Sequence, residues 1–573
     1  MIVYGDPQFE IESSLATRRL RELLQLADSR RLDHLRDFLI ATGQIEQAIE
    51  DAGAENSAIT RATDLAADHF VRAFLDRGKS EKPSSTPLQA AAACIDIALA
   101  HNDRLRLKLP EGFAFYTLYP EQYCDAALAW SRSRPPTRTL VIGIRSIGTT
   151  LSAVVKATLG LCEWHAERIT VRPTGPPFER TVQLRRDRSF ESAIVVDEGP
   201  GLSGSSMACV ARALRDGGVR DITFFPGHAQ PPGAATSENV RTLWSEIPAV
   251  VRPAITSDLS QSRAVQSLRQ STEGLFRSPI AEILDLSAGK WRTLPGLDSI
   301  HATPELERAK YLFRSENRRA LLWKFAGLGP GRALEPLSRI ACERQSHLAA
   351  AGWCPPPLDL EFGFIATEWI DGRTLTPLDL SGPMLNHLAQ YIAFSVREPL
   401  PTSEQQQSLA RLAEMTRWNL QKAGLSTTPP PIPNNPQALP SSGDGRLAPH
   451  EWIRAGNKTL KTDTWGHDFD HSIIGPQAIF WDIACAIVEW RMTPAQIPRF
   501  LQALGDAGQA RSDFRDMQFF SSLPNCASNL RFHIAAYCAF RIGTASLSPD
   551  APALKHYSAL AADFLDPDGG RPI

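Results

Sequence analysis

Apolar residues recur at helical spacing near the start of the chain. Leu15, Leu20, Leu23, Leu24, Leu26, Leu32, Leu35, Phe38 and Leu39 are interleaved with Arg and Asp, which predicts amphipathic helices over 8–75. The polar stretch RGKSEKPSSTP (77–87) interrupts the pattern as a linker or exposed loop. From about residue 88 the pattern changes. TRTLVIGI (137–144), SAIVVD (192–197) and DITFFPG (221–227) predict strands, and the first two run into helical patterns at 146–161 and 203–218. Repeated strand–turn–helix units predict a parallel α/β sheet.

The texture changes again after about 290. RRALLWKF (318–325) predicts a strand, 333–352 a helix, and FGFIATEWIDG (362–372) a strand ending in a turn. STTPPPIPNNPQALPSSGDG (426–445) is too rich in Pro, Ser, Asn and Gly for regular structure and reads as a surface insertion or linker. A short strand-like region at 459–470, the apolar helix AIFWDIACAIVEW (478–490) and further helices complete the chain.

Composition narrows the classes. The 573 residues predict about three to five domains. With 43% hydrophobic and 22% charged residues, wholesale disorder is excluded. The 61 basic and 63 acidic residues leave a net charge of −2, which argues against nucleic acid as a partner. Nine scattered cysteines without a CxxC pair argue against structural zinc or a disulfide framework, and predict a reducing, cytoplasmic setting. No apolar run reaches 18 residues, so no membrane association is expected. Lysine is scarce, 11 against 50 arginines, which makes each lysine more informative.

The most informative segment is Ala193-Ile-Val-Val-Asp197-Glu198-Gly-Pro-Gly201-Leu-Ser203-Gly204-Ser205-Ser206. Two acids stand where a buried strand leaves the sheet, and a Gly/Ser loop then opens a helix. Ligands of open α/β sheets bind at that edge. A helix N-terminus with small hydroxyl residues cradles phosphate, so the acids and loop together suit a sugar phosphate. At these residues the chain resembles the type I phosphoribosyltransferase family. The resemblance implies that Asp197 and Glu198 hold the ribose hydroxyls of phosphoribosyl pyrophosphate (PRPP), and that Gly201, Ser203, Gly204, Ser205 and Ser206 wrap its 5′-phosphate. It further implies a pyrophosphate loop at Arg145, Ser146, Gly148 and Thr149, and a flap carrying Arg172 and Arg180. The spacer 199–202 is one residue longer than usual in the family, and serines stand for its threonines.

A second resemblance, to aminoglycoside-phosphotransferase-like kinases, rests on Lys324 on a strand and Glu343 on the next helix. The segment EWIDG (368–372), the His450-Glu451-Trp452 region, Asn457, and acids before Gly475-Pro476 and Trp481-Asp482-Ile483-Ala484 continue it. It implies Lys324 for phosphates, Glu343 as its partner, Glu451 near the catalytic base, and Asp463 or Asp468 for metal. No His-Gly-Asp loop is recognisable, and no Gly-rich loop precedes Lys324. A degenerate kinase fold and a plain helical domain with surface acids remain open beside it. His467 and His471 read as structural or solvent-facing.

The fold class expected is therefore α/β: an N-terminal helical region (1–85), a central parallel-sheet phosphoribosyltransferase domain (86–290) and a C-terminal kinase-like α+β domain (300–573). The leading activity is transfer of phosphoribosyl from PRPP to a base-like small molecule, with Mg²⁺. The alternatives are a PRPP- or nucleotide-sensing protein without turnover, or ATP-dependent phosphotransfer by the C-terminal half. Small-molecule substrates are the expected partners, and a homo-oligomer is left open.

Overall fold

The structure, a computed structural model, describes the chain except at residues 6–7, 28–30, 54–55, 77–85, 101–102, 177, 185–189, 202, 234–235, 252–261, 295, 426–430, 434–438, 468–471, 473, 512–516, 524–525, 548–550 and 566–573. It is a mixed α/β structure organised by two main sheets.

The first sheet is parallel, in the order His165–Val171, Arg138–Ile144, Ser192–Val196, Asp221–Phe225. Val141 lies beside Ile194, and Val196 beside Phe225. The two central strands, Arg138–Ile144 and Ser192–Val196, are apolar at most positions because both faces are covered. Leu140, Ile142, Val195 and Phe224 pack with Val210 and Leu214 of the Ser205–Asp216 helix. Val141, Ile194, Val196 and Phe225 face the other way, into a core that includes Leu39, Ile45 and Phe70 of the N-terminal helices. The helices Leu32–Asp51 and Ser57–Leu75 are thus a layer of the α/β unit.

A buried ion group holds that layer. Arg168, on strand His165–Val171 with its side chain fully out of water, meets Glu46 at 2.9 Å and Asp64 at 2.7 Å. Burial pushes the Glu46 carboxyl up to about 7 even beside this arginine.

The second sheet is antiparallel, in the order Pro357–Glu361, Phe364–Glu368, Ala320–Phe325, Lys310–Ser315, Ile280–Asp285. Along Ala320–Phe325 burial alternates, as a one-sided strand requires. Leu321, Trp323 and Phe325 enter the same core as the N-terminal helices, and Lys324 faces away from it. A separate core, with Tyr391, Trp452, Trp481, Trp490 and Phe500, fills the helical C-terminal part. A small sheet of Arg373–Thr374, Trp452–Ala455 and Lys458–Lys461 borders it.

Several boundaries differ from expectation for local reasons. The helix expected at 333–352 runs Leu337–Ala350, because Pro336 caps it after a separate 3₁₀ turn at Arg332–Leu334. The strand expected at 362–372 stops at Glu368. The 426–445 segment is not wholly a surface insertion: Ser441, Ser442 and Asp444 are buried. A phosphoribosyltransferase identity for the parallel sheet is not shown.

Replacing Arg168 by Met is expected to cost about 3–5 kcal/mol, because Glu46 would remain buried without a partner. Chemical denaturation of the full chain measures this. A loss under about 1 kcal/mol, typical of an exposed pair, would show that the N-terminal layer does not depend on the group.

Candidate functional site

The cleft between the antiparallel sheet and the C-terminal helices collects more buried charge than any other described region. Lys324 reaches into it from strand Ala320–Phe325 and pairs with Asp463, which follows the Lys458–Lys461 strand. The Lys324 ammonium also lies 4.1 Å from the Trp465 ring centre. Burial lowers Lys324 from its ordinary 10.5 to about 8, with Asp463 opposing the shift. In turn, and against the effect of burial, the Lys324 ammonium holds the Asp463 carboxyl well below the usual range.

The Lys324 partner is a correction. Glu343 was expected, but it is exposed on the Leu337–Ala350 helix. The inward position of that helix is Gln345, which accepts from Trp465 Nε1 at 2.9 Å and donates to the Pro355 carbonyl at 3.1 Å. Asn457 is also corrected, since it is exposed in the turn between strands Trp452–Ala455 and Lys458–Lys461. Asp468, the second expected metal ligand, and His471 lie outside the described residues.

The floor of the cleft is a loop clamped from below. Asp482 is 0% exposed inside the apolar Phe480–Glu489 helix and needs donors there. Ser442 Oγ donates to it at 2.6 Å, and the backbone N–H groups of Gly443, Asp444 and Gly445 donate at 2.9, 3.2 and 2.7 Å. The clamp holds Asp444 in place as a 1% exposed carboxyl that accepts from Tyr391 Oη. Burial raises Asp444 to about 7, against the lowering effect of Lys461.

Lys461 completes the group. Its ammonium has no solvent exposure and lies 2.9 Å from Glu451 Oε2 and 3.3 Å from Asp444 Oδ2. It also donates to the backbone carbonyl of Asp463. Glu451 Oε1 meets Arg446 Nε at 2.8 Å. Burial raises Glu451 to about 7 despite both cations.

The acids permit a direct test of fit to Mg²⁺, the metal the kinase resemblance implies. Ligand atoms of Glu451, Asp463 and His467 lie within 4.8 Å of one another. Mg²⁺ demands near-octahedral oxygen ligation. Here one donor is an imidazole nitrogen, both Glu451 oxygens already face cations, and Asp463 Oδ1 is bonded to Lys324. The donor set among the described residues does not fit.

A cavity of about 90 Å³ opens beside this group. Among the described residues, Arg308, Lys310, Lys324, Arg446 and Arg541 line it with the carboxylates Glu307 and Asp463. Arg446 spends its Nε on Glu451, while Arg541 faces Glu489 at 3.4 Å and donates to Tyr557 Oη at 2.8 Å. His301, Thr303, Leu306 and Glu307 line one side of the cavity, and Trp291 is stacked on His450 at 5.6 Å between ring centres.

At the parallel sheet, the two expected loops do meet at the carboxyl ends of their strands. Gly148 passes so close to Val196 that a Cβ would lie 2.7 Å from its carbonyl oxygen. Glu198 Oε2 accepts from the Gly112 N–H at 2.8 Å, and Ser203 Oγ lies 2.9 Å from Ser205 Oγ. Gly201 and Gly204 take left-handed backbone, both at φ 59°, and Ser206 lies in the first turn of the Ser205–Asp216 helix. Burial, then the neighbouring Glu198, raises Asp197 to about 8. Thr149 is buried and Ser146 precedes the helix. The arginines are occupied elsewhere. Arg145 pairs with Glu50 and Asp51, Arg172 meets Asp51 at 3.1 Å, and Arg180 donates to the Gly175 carbonyl at 2.6 Å.

No protein-family model and no curated protein sequence matches the chain. Among solved structures it is similar to choline kinase from Streptococcus pneumoniae at 12% identity and TM-score 0.29, over 52% of this chain and 100% of that one. It is also similar to a spectinomycin phosphotransferase in complex with ADP and spectinomycin (12%, TM-score 0.30, 53% and 94%). An ethanolamine kinase from Plasmodium vivax matches at 11% identity and TM-score 0.30, over 55% and 93%. The neighbours named here are kinases and phosphotransferases, so the expected phosphoribosyltransferase activity and PRPP find no support. No described helix is long and apolar enough to cross a membrane.

Asp444, Asp482, Lys461 and Arg446 escaped the sequence reading as site residues. Asp482→Asn is expected to lose at least two of the four clamp bonds and to cost about 2–4 kcal/mol in thermal unfolding. Amide exchange at Gly443–Gly445 should accelerate with it. Unchanged exchange there would contradict the clamp.

Proposed function

We propose that the C-terminal cleft binds ATP and passes its terminal phosphoryl group to a hydroxyl of a small molecule. The observation that supports this most is the Lys324–Asp463 pair facing a cavity with a surplus of cationic side chains. Phosphoryl transfer asks a protein chiefly for position and fixed charge. Lys324, Arg446 and Arg541 supply the charge that the transferred group and the departing ADP need. The acceptor oxygen forms a bond to the terminal phosphorus as the bond to the bridging oxygen breaks, and the hydroxyl proton passes to Asp444. Asp444, raised to about 7 by burial, directly precedes Gly445 and Arg446, which line the cavity.

The cavity accommodates a phosphate-sized group. A whole nucleotide, whose sites run to about 300 Å³ or more, needs more room than this cavity has, so its binding requires the lining to open. A second reading, nucleotide sensing without turnover, is favoured by one observation: Lys461 already neutralises the acids of the loop.

ATP at a hundredfold excess over its Kd should stabilise the full chain by about 2.7 kcal/mol, and Lys324→Ala should weaken binding at least about tenfold, or about 1.4 kcal/mol. Absence of any ATP effect on the wild-type melting would overturn the reading. Binding without ADP release for a panel of hydroxyl acceptors would favour the sensor.

The pH dependence has a definite sign. Below about 8 the Lys324 ammonium is charged, and above it the amine is neutral. ATP affinity is therefore expected to fall as pH rises from 7 to 9, and Lys324→Arg, which stays charged, should flatten that slope. Equal slopes in calorimetric titrations of the two proteins would contradict this role for Lys324.

A further inference from the structure

The mismatch between the acid cluster and Mg²⁺ has a structural cause. Three oxygens, from Asp444, Glu451 and the Asp463 carbonyl, converge on the Lys461 ammonium, which is closed off from water. An ammonium donates three hydrogen bonds and accepts none; these three oxygens are the partners it needs. Its stem is fixed as well. Lys461 is the last residue of strand Lys458–Lys461, its N–H donates to the Trp353 carbonyl at 2.8 Å, and its Nζ lies 5.9 Å from the Trp452 ring centre. Removing it would leave Asp444 without a cation and Glu451 with Arg446 alone, a costly arrangement for two buried carboxylates.

We infer that Lys461 is a resident cation of the cleft, occupying the place among Asp444, Glu451 and Asp463 that a divalent ion would need, so that a phosphate-bearing ligand is held there without protein-bound metal. The inference rests on the geometry of the acid cluster and deepens the ATP reading by assigning how phosphate charge is balanced. While the ammonium is in place, Asp444 Oδ2, both Glu451 carboxylate oxygens and Asp463 Oδ1 each already face a cation. Anion charge is met instead by the fixed groups of Lys324, Arg446 and Arg541 around the cavity.

The test uses the full chain and two probes. In the first, terbium is titrated and its luminescence sensitised through Trp452 is recorded. Wild-type protein should give no saturable signal. Lys461→Met should gain a site at least tenfold tighter, and adding Glu451→Gln to it should abolish that site. A saturable wild-type signal that Glu451→Gln removes would overturn the inference, as would a cooperatively melting Lys461→Met protein that gains none.

The second probe, inorganic phosphate, needs only the wild type and so decides the matter even where Lys461→Met fails to fold. The melting shift produced by phosphate should be the same in excess EDTA as in excess magnesium. A phosphate shift that appears only with magnesium would refute the resident-cation assignment. Absence of any phosphate or ATP shift, with the terbium pattern as expected, would instead count against the nucleotide reading while leaving Lys461 in its role.

Discussion

One ammonium group decides how the cleft can be built. Lys461 is without solvent exposure and has three oxygen partners, and those partners in turn are held by everything around them. Asp444 sits where Asp482 clamps its loop and Tyr391 caps its carboxyl. Glu451 is shared with Arg446, and Asp463 reaches across to Lys324. A buried charge without partners is strongly disfavoured, so the hairpin, the clamped loop and the antiparallel sheet must arrive together. Burial lifts Asp444 and Glu451 to about 7 against the pull of Lys461, while Asp463, against the effect of burial, is drawn low by Lys324.

The rest of the molecule supports that cleft through shared cores. The antiparallel sheet turns Leu321, Trp323 and Phe325 into the core that the N-terminal helices and one face of the parallel sheet also enter. Lys324 is thereby fixed on the opposite face, toward Asp463. The N-terminal helices are a structural layer whose buried Glu46–Arg168–Asp64 group ties them to the sheet. Their acids also occupy two arginines expected to meet substrate: Glu50 pairs with Arg145 of the expected pyrophosphate loop, and Asp51 with Arg172 of the expected flap.

Much of this was legible in residue patterns, and the failures have physical causes. Continuous apolar runs marked the strands of the parallel sheet, because both faces are covered. The apolar run RRALLWKF marked the strand that carries Lys324, and the alternating burial of that strand sets Lys324 on the face away from the core. The partner Glu343 failed because Pro336 sets the phase of the Leu337–Ala350 helix, which turns Gln345 inward. Asp444 was hidden because its loop ends a stretch rich in Pro, Ser and Gly, a composition shared by surface linkers and donor-rich loops. One signal distinguished them. Asp482 stands in an otherwise apolar helix, and a buried carboxylate there requires a nearby set of free N–H groups, such as Gly443-Asp444-Gly445 offers. Lys461, one of only 11 lysines, falls at a strand end where sequence alone cannot tell inward from outward.

The most direct measurement is a crystal structure of the full chain grown with a non-hydrolysable ATP analogue and manganese. The account predicts analogue phosphates bounded by Lys324, Arg446 and Arg541, with the Lys461 ammonium still seated among Asp444, Glu451 and Asp463 and no anomalous manganese peak in that group. An analogue bound away from Lys324, or a manganese ion seated among those acids with Lys461 displaced, would contradict it.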